Sequence, residues 1–416
     1  MDKVVLAYSG GLDTSVAVKW IKEEYGLDVI TCTINIGQEK DWGSVKRRAE
    51  ASGAIKSIVI DARQDFVDYI IWPALQAGAV YEGKYPLATA LGRYLMAKIL
   101  VDTAREEGAV AVAHGCTGKG NDQVRFDVSV NILDPDMKII APVREWDMTS
   151  RDEEIEYARE HGIEIDFENK TYSTDENIWG KSIECGPLED PCNEPPEEIY
   201  MLTKSVKDTP DEPEYVEIEF EHGIPVALNG MKMTGLDLIL KLDEIAGNHG
   251  VGRIDHVENR TVGLKSREIY EAPAAVVLHL AHQELESLVL AKDQARVKAY
   301  ITQQYSDMIY SGLWFSGLHR DLRAFVVSSQ QNVTGTVRVK LHKGNCRIAG
   351  RKSPYSLYDK ALATYERGST YNQANALGFI YIHGLTARTQ AEKQLKSELA
   401  GPKDNIFLPG SGKKVD

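Results

Sequence analysis

The stretch Val4-Val5-Leu6-Ala7-Tyr8-Ser9-Gly10-Gly11-Leu12-Asp13-Thr14-Ser15 decides the architecture. An apolar run of the length of one buried strand meets two glycines, and a helical pattern through Trp20 and Ile21 follows. The glycines permit a tight turn and a close approach of backbone to ligand. Ser9, Thr14 and Ser15 add hydroxyls, and a helix N-terminus adds free N–H groups and partial positive charge. Strand, turn and helix together make an anion cradle. Asp13 would repel a bare phosphate, so it requires either an intervening Mg²⁺ ion or a helix-capping role. A Gly-Gly pair alone would read as a structural turn; seven residues in this order at a strand end favour phosphate. The spacing is neither the G-x-x-x-x-G-K-[ST] of Walker A nor G-x-G-x-x-G.

Outward from this loop, apolar runs alternate with helical patterns: Val29 to Ile34, then Ser44 to Ala51; Ser57 to Ile60, then a helical stretch. A longer helix through Leu91, Leu95 and Ile99 precedes Ala109 to Ala113, and Lys138 to Ala141 comes later. This β-α-β-α order predicts an α/β domain, a parallel sheet with helices on both faces. Ser150 and Glu153 have the spacing of a capping box, and the pattern breaks near residue 165. Beyond it, Tyr215 to Phe220 alternates as a half-buried strand, Val333 to Leu341 and Cys346 to Ala349 flank a hairpin turn, and Pro273 to Leu290 reads as a helix. The expected division is 1–165, 166–361 (α+β) and 362–416. The last segment carries a helix from Leu385 to Leu399 with little core of its own, expected to pack on another subunit or back on its own chain.

A length of 416 residues suits two domains and an appendage. The net charge of −14 disfavours long RNA or DNA as the main substrate, yet leaves room for a small anion held at one loop. No apolar run reaches the roughly 18–20 residues of a membrane span, which implies a cytoplasmic protein without membrane contact. The five cysteines are scattered without a C-x-x-C pair, and Cys116 is expected to be a passive filler.

A second motif, His114-Gly115-Cys116-Thr117-Gly118-Lys119-Gly120-Asn121-Asp122-Gln123-Val124-Arg125-Phe126, follows the run Ala109 to Ala113. Loops at the carboxyl ends of parallel strands collect at one edge, so this loop can face the first across a crevice. Lys119 suits a phosphate; Asn121, Asp122 and Arg125 suit the carboxylate and ammonium of an amino acid. His114 at a strand end is expected to be structural. Tyr81 to Leu87 reads as packing before a helix, and the polar stretch at Ser173 to Asn177, with Ser182, as ordinary loop. Gly250 to Arg260 and Gly263 to Glu271 crowd glycines and charges into a pattern odd for a helix, which suggests a shaped binding loop.

The S-G-G-x-D-[ST]-S form resembles the PP-loop of N-type ATP pyrophosphatases. With H-G-x-T-G-K-G-N-D-Q-V-R-F and G-V-G-R-I-D-x-V-E-N-R, the chain from Ala7 to Pro354 resembles the argininosuccinate synthase family, whose members join citrulline and aspartate at the expense of ATP. The resemblance implies an adenine nucleotide alpha hydrolase-like first domain, a synthetase second domain, a C-terminal oligomerisation helix and a homotetramer. It implies ATP contacts at Ala7, Tyr8, Ser9, Gly10, Gly11, Leu12, Asp13, Thr14, Ser15, Ile34 and Gly115. Citrulline would meet Tyr85, Asn121, Arg125, Ser173, Ser182, Glu258 and Tyr270, and aspartate Thr117, Asn121 and Asp122. Asp13, Lys119 and Asp122 are the expected catalytic set, with ATP and Mg²⁺ as co-substrate and cofactor. The base that deprotonates the aspartate ammonium is left open among pyrophosphate, a water and Asp122. Ala90 departs from the pattern, which often has Ser there to help hold citrulline; Thr89 or a backbone group would compensate. Two rival readings are a tRNA-thiolating enzyme, disfavoured by charge and by unpaired cysteines, and a nucleotide sensor, which would have no need of Glu258 and Tyr270.

Overall fold

The computed structural model describes residues 1–38, 40–163 and 171–395. Five strands, β1 (Lys3–Ala7), β2 (Asp28–Asn35), β3 (Lys56–Asp61), β4 (Ala111–Ala113) and β5 (Lys138–Ile140), form an all-parallel sheet in the order β3-β2-β1-β4-β5. Val4, Val5 and Leu6 are fully buried because side chains alternate between two covered faces. Val5 and Ala7 share a core with Leu91, Tyr94 and Leu100 of the helix Ala88–Glu107. Val4 and Leu6 pack with Val16 and Ile21 of the helix Leu12–Tyr25, Val45 of the helix Trp42–Ala51 and Ala158 of the helix Arg151–Glu160. The last helix starts on the expected capping box: the Glu153 N–H donates to Ser150 Oγ at 3.3 Å, and Glu153 takes the Ser150 N–H in return.

The central place of β1 matters for function. The chain builds outward from β1 through β2 to β3, then crosses to add β4 on the other side of β1. Two loops therefore diverge at the carboxyl ends of β1 and β4 and leave a crevice there.

Two antiparallel sheets follow. One holds β6 (Ser173–Asn177), β7 (Gly180–Glu184), β11 (Arg253–Asn259) and β12 (Lys265–Glu271) in the order β11-β12-β7-β6. The other holds β8 (Glu214–Glu221), β9 (Ile224–Leu228), β10 (Met231–Lys232), β13 (Gly335–His342) and β14 (Asn345–Lys352) in the order β10-β9-β8-β13-β14. Val216, Ile218 and Phe220 of β8 and Val337, Val339 and Leu341 of β13 fill a core with the helix Pro273–Val289, as the alternation predicts.

Two expectations are corrected. Ser173 to Asn177 is a strand and not a loop, and Gly250 to Glu271 is chiefly a hairpin. Its alternation runs inverted, with His256 and Glu258 buried and Val257 exposed, so a hydrophobic pattern could not reveal it. The glycines serve the backbone: Gly252 has φ +120, and a Cβ there would lie 2.6 Å from Pro273 N and Cα. The terminal helix runs Asn375–Lys393, ten residues earlier than Leu385; its expected end at Leu399 and the expected boundary at residue 165 lie outside the described residues.

The chain divides into two compact units, Met1–Leu357 and the segment from Tyr358 onward. In the second, the helix Asn375–Lys393 buries no residue and exposes Leu377, Phe379, Ile380, Tyr381 and Ile382. Among the described residues no helix is long and apolar enough to cross a membrane.

Candidate active site

The loop after β1 has the predicted geometry. Gly10 adopts φ +78, which a side chain would strain, and the helix begins at Leu12. The Ser9 and Thr14 hydroxyls are hydrogen-bonded at 3.1 Å, the Gly11 N–H donates to Ser9 Oγ at 3.3 Å, and the Tyr8 and Ser15 hydroxyls meet at 2.8 Å. Ala7, Tyr8 and Ile34 are buried, with Tyr8 held to β2 by its N–H on the Cys32 carbonyl and by the Thr33 hydroxyl on its own carbonyl. The loop after β4 closes on the first: a Cβ at Gly115 would stand 3.2 Å from Thr14 Cγ2.

Two cations missed in the sequence grip this cradle. Lys40 Nζ donates to the Ser9 carbonyl at 2.9 Å, and the Arg48 guanidinium donates to the Gly10 carbonyl. Their positive charges lie where a polyphosphate would need them. Glu154 stands beside Asp13: burial first, then the Asp13 charge, pushes its carboxyl up to about 8. Both are the hard oxygen donors that suit Mg²⁺ held jointly by one or two carboxylates and phosphate oxygens.

In the second loop His114 donates from Nε2 to Asp127 Oδ1 at 2.6 Å, while Nδ1 accepts the Cys116 N–H at 3.2 Å. Both ring nitrogens are committed, so His114 is structural. Burial pushes the Cys116 thiol far above its ordinary value, which fits a passive residue. Thr117 and Lys119 are exposed, and the Lys119 carbonyl takes Arg260 Nη1 at 3.4 Å. Asp122 is held from both sides, with Arg125 Nη1 on Oδ1 at 2.9 Å and Arg93 Nη2 at 2.9 Å from Oδ2. Burial alone would raise its carboxyl, but the charges of Arg93 and Arg125 prevail and hold it down at about 2. A carboxylate so firmly paired is a weak base toward an ammonium.

Tertiary packing gathers most of the residues expected at citrulline. Tyr85 stacks on Tyr270, with ring centroids 4.1 Å apart at 10°. The Tyr270 hydroxyl donates to Glu258 Oε2 at 2.7 Å, and Ser182 is the register partner of Tyr270. Asn121 Nδ2 donates to the Tyr310 hydroxyl at 2.8 Å, and Arg125 Nε donates to the Tyr310 carbonyl at 3.2 Å. Arg125 Nη2 is buried without a hydrogen-bond partner, a condition that an incoming carboxylate would relieve. Ser173 stands apart from the tyrosines, exposed at the start of β6 and in register with Glu184. Around Ala90, the Tyr85 hydroxyl is bonded to Thr89 Oγ1 at 2.6 Å and accepts the N–H groups of Thr89 and Ala90 at 3.0 and 3.3 Å. Arg93, Tyr310 and Glu154 join the site without having been singled out, since none belongs to a recognisable local motif, and Tyr81, expected only to pack before a helix, stacks on Tyr310.

Residues 3–164 match the family model described as the arginosuccinate synthase N-terminal HUP domain, and residues 172–390 match the arginosuccinate synthase C-terminal domain. A curated relative from Dehalococcoides mccartyi, named argininosuccinate synthase, is 59% identical over 94% of this chain and 97% of its own. Relatives of the same name from Brevibacillus brevis and Pelodictyon phaeoclathratiforme are 56% and 55% identical, each over 94% of this chain and over 93% and 98% of their own. Among solved structures, a chain described as a predicted subunit of tRNA methyltransferase from Methanocaldococcus jannaschii aligns at a TM-score of 0.27 and 17% identity, covering 42% of this chain and 79% of that one, too slight a likeness to bear on the fold. With both halves matched and relatives more than half identical along nearly the whole length, the chain belongs to the argininosuccinate synthase family.

Proposed function

We propose that this protein ligates L-citrulline to L-aspartate, converting ATP to AMP and pyrophosphate in two steps, in arginine biosynthesis. The observation that carries this reading is that the loop after β4, which leads into the Asn121, Asp122 and Arg125 cluster, packs at Gly115 against Thr14 of the cradle after β1. The unpartnered Arg125 nitrogen, Glu258 and the stacked tyrosines lie within the same cluster.

In the first step the ureido oxygen of citrulline attacks the α-phosphorus, the bond to the β-phosphate oxygen breaks, and pyrophosphate departs into the Ser9 to Ser15 loop. Arg125 and Tyr85 would hold the citrulline carboxylate, Glu258 its ammonium, and Ser182 would line the pocket beside Tyr270; Ser173, at the exposed start of β6, would reach citrulline only from the rim. In the second step the aspartate amine, one proton lighter, attacks the ureido carbon and AMP leaves. Asp122 would fix the incoming ammonium, with Thr117 and Asn121 around the aspartate and Lys119 on the phosphates. Mg²⁺, held by Asp13 with Glu154 adjacent, would supply charge neutralisation on the triphosphate. Rigid placement of three reactants can contribute about 7–11 kcal/mol, so no covalent enzyme intermediate is required.

Over the expected segments, 1–165 would hold ATP, aspartate and the Tyr85, Asn121 and Arg125 side of citrulline, 166–361 would close the citrulline pocket with Ser182, Glu258 and Tyr270, and 362–416 would associate the chain into a homotetramer, in the cytoplasm. The test is pyrophosphate release from Mg²⁺-ATP with citrulline and aspartate added singly and together, with argininosuccinate followed by mass. Release that requires citrulline, with product only when aspartate is also present, is the expected result; release indifferent to citrulline would sink the substrate assignment.

A further inference from the structure

Tyr310 is the last residue of the helix Lys292–Tyr310, and no motif surrounds it. Its hydroxyl donates to Glu258 Oε1 at 2.6 Å and accepts from Asn121 Nδ2 at 2.8 Å. Its carbonyl accepts from Arg125 Nε, and the Arg125 guanidinium lies 5.0 Å from the centre of its ring. The other ring face is taken by Tyr81, stacked at 3.6 Å and 4°, whose hydroxyl donates to the Asn259 carbonyl at 2.7 Å. One side chain thus touches three of the seven residues assigned to citrulline, two from the loop and helix after β4 and one from β11.

The direction of these bonds is fixed by chemistry. A carboxylate oxygen only accepts, so the Tyr310 hydroxyl spends its one proton on Glu258 and can only accept from Asn121. Asn121 must therefore present Nδ2 to Tyr310 and Oδ1 to the Thr261 N–H, which it meets at 2.9 Å. One amide hydrogen of Asn121 remains for a ligand acceptor. Burial, and after it the Glu258 charge, pushes the Tyr310 phenol far above its ordinary value, so at neutral pH it keeps the proton that it donates to Glu258. Glu258 is gripped on both oxygens, by Tyr270 and by Tyr310, and each of those rings is stacked on a tyrosine from the turn Tyr81 to Tyr85.

We infer that Tyr310 is a positioning residue of the citrulline pocket, which orients Glu258 and Asn121 through its hydroxyl before citrulline arrives. The inference rests on the assignment of this pocket to citrulline. A group held this way binds without first having to be ordered, and removal of the hydroxyl leaves one oxygen of Glu258 and one N–H of Asn121 unsatisfied.

The experiment is calorimetric titration of citrulline into the full chain saturated with the α,β-methylene analogue of ATP, for wild type and Tyr310→Phe. The expected result is a loss of about tenfold in citrulline affinity, with affinity for the analogue within about twofold and a thermal midpoint lowered by only a few degrees, the cost of the two groups left unsatisfied. In turnover the same variant should raise KM for citrulline more than it lowers kcat. Citrulline affinity within about twofold of wild type, or a parallel loss for citrulline and analogue, would overturn the inference. Wild-type protein that takes the analogue but not citrulline would instead overturn the pocket assignment, and the inference with it. Should Tyr310→Phe not fold, 3,5-difluorotyrosine at position 310 keeps the ring and makes the hydroxyl a stronger donor and weaker acceptor; an unchanged citrulline affinity there would equally overturn it.

Discussion

Arg93, from the helix Ala88–Glu107, reaches Asp122 Oδ2 at 2.9 Å while Arg125 occupies the other oxygen, so the carboxylate closest to the proposed aspartate site is an ion-pair member before any substrate binds. Its carboxyl is depressed to about 2, so its contribution to stability is present above the ordinary value of 3.8 and is lost as pH falls through about 2. At neutral pH it does not titrate. Asp122→Asn should therefore raise KM for aspartate on the order of 10- to 100-fold without moving the acidic limb of the kcat/KM profile. A limb that shifts in the variant would show that Asp122 is the titrating base after all.

Glu154 gives the opposite sign. Burial and then the neighbouring Asp13 charge raise its carboxyl from 4.5 to about 8, so the folded state keeps a proton that the unfolded chain has released. Stability from this group is complete below about 4.5 and declines as pH rises through about 8. Glu154→Gln, a neutral mimic of the protonated acid, should flatten that decline in thermal melts run without nucleotide. It should also raise the Mg²⁺ concentration needed for half-maximal activity by roughly threefold to tenfold, the loss of one donor. An unaltered pH slope would mean that Glu154 does not keep its proton in the folded chain.

Gly252 tests whether a motif glycine binds or folds. At φ +120, with Pro273 backbone 2.6 Å from where a Cβ would go, Gly252→Ala should cost about 2–4 kcal/mol in denaturant unfolding. The folded fraction should keep a normal KM for citrulline. A stable variant with a damaged KM would return this loop to a direct binding role.

The helix Asn375–Lys393 exposes Leu377, Phe379, Ile380, Tyr381 and Ile382, more apolar surface than an isolated helix keeps in water. Removal of the chain after Leu357 should lower the mass found by analytical ultracentrifugation below that of the proposed homotetramer. An undiminished assembly would place the subunit contacts on the first compact unit.

The loops after β1 and β4 were legible because each is contiguous: glycines, hydroxyls and a helix start lie within a few residues, and local backbone conformation alone shapes them. The hairpin of β11 and β12 was not. Its inward face carries His256 and Glu258, since the site needs polar groups where a core needs apolar ones, and the usual alternation vanished. Ser150 with Glu153 shows the contrast, as a cap depends on three residues of spacing and nothing distant.

By itself the sequence determined the order of strands and helices in the first sheet, its parallel character and the strand–turn–helix form of the loop after β1, because short-range periodicity and turn chemistry control all three. Only the tertiary structure decided that Arg93 would clamp Asp122, that Glu154 would stand beside Asp13 and that Tyr310 would tie Glu258 to Asn121. Those pairs are separated along the chain by whole elements. Their distances and their charge states exist only once sheets and helices have packed, since burial strengthens each charge and each hydrogen bond that packing brings within reach.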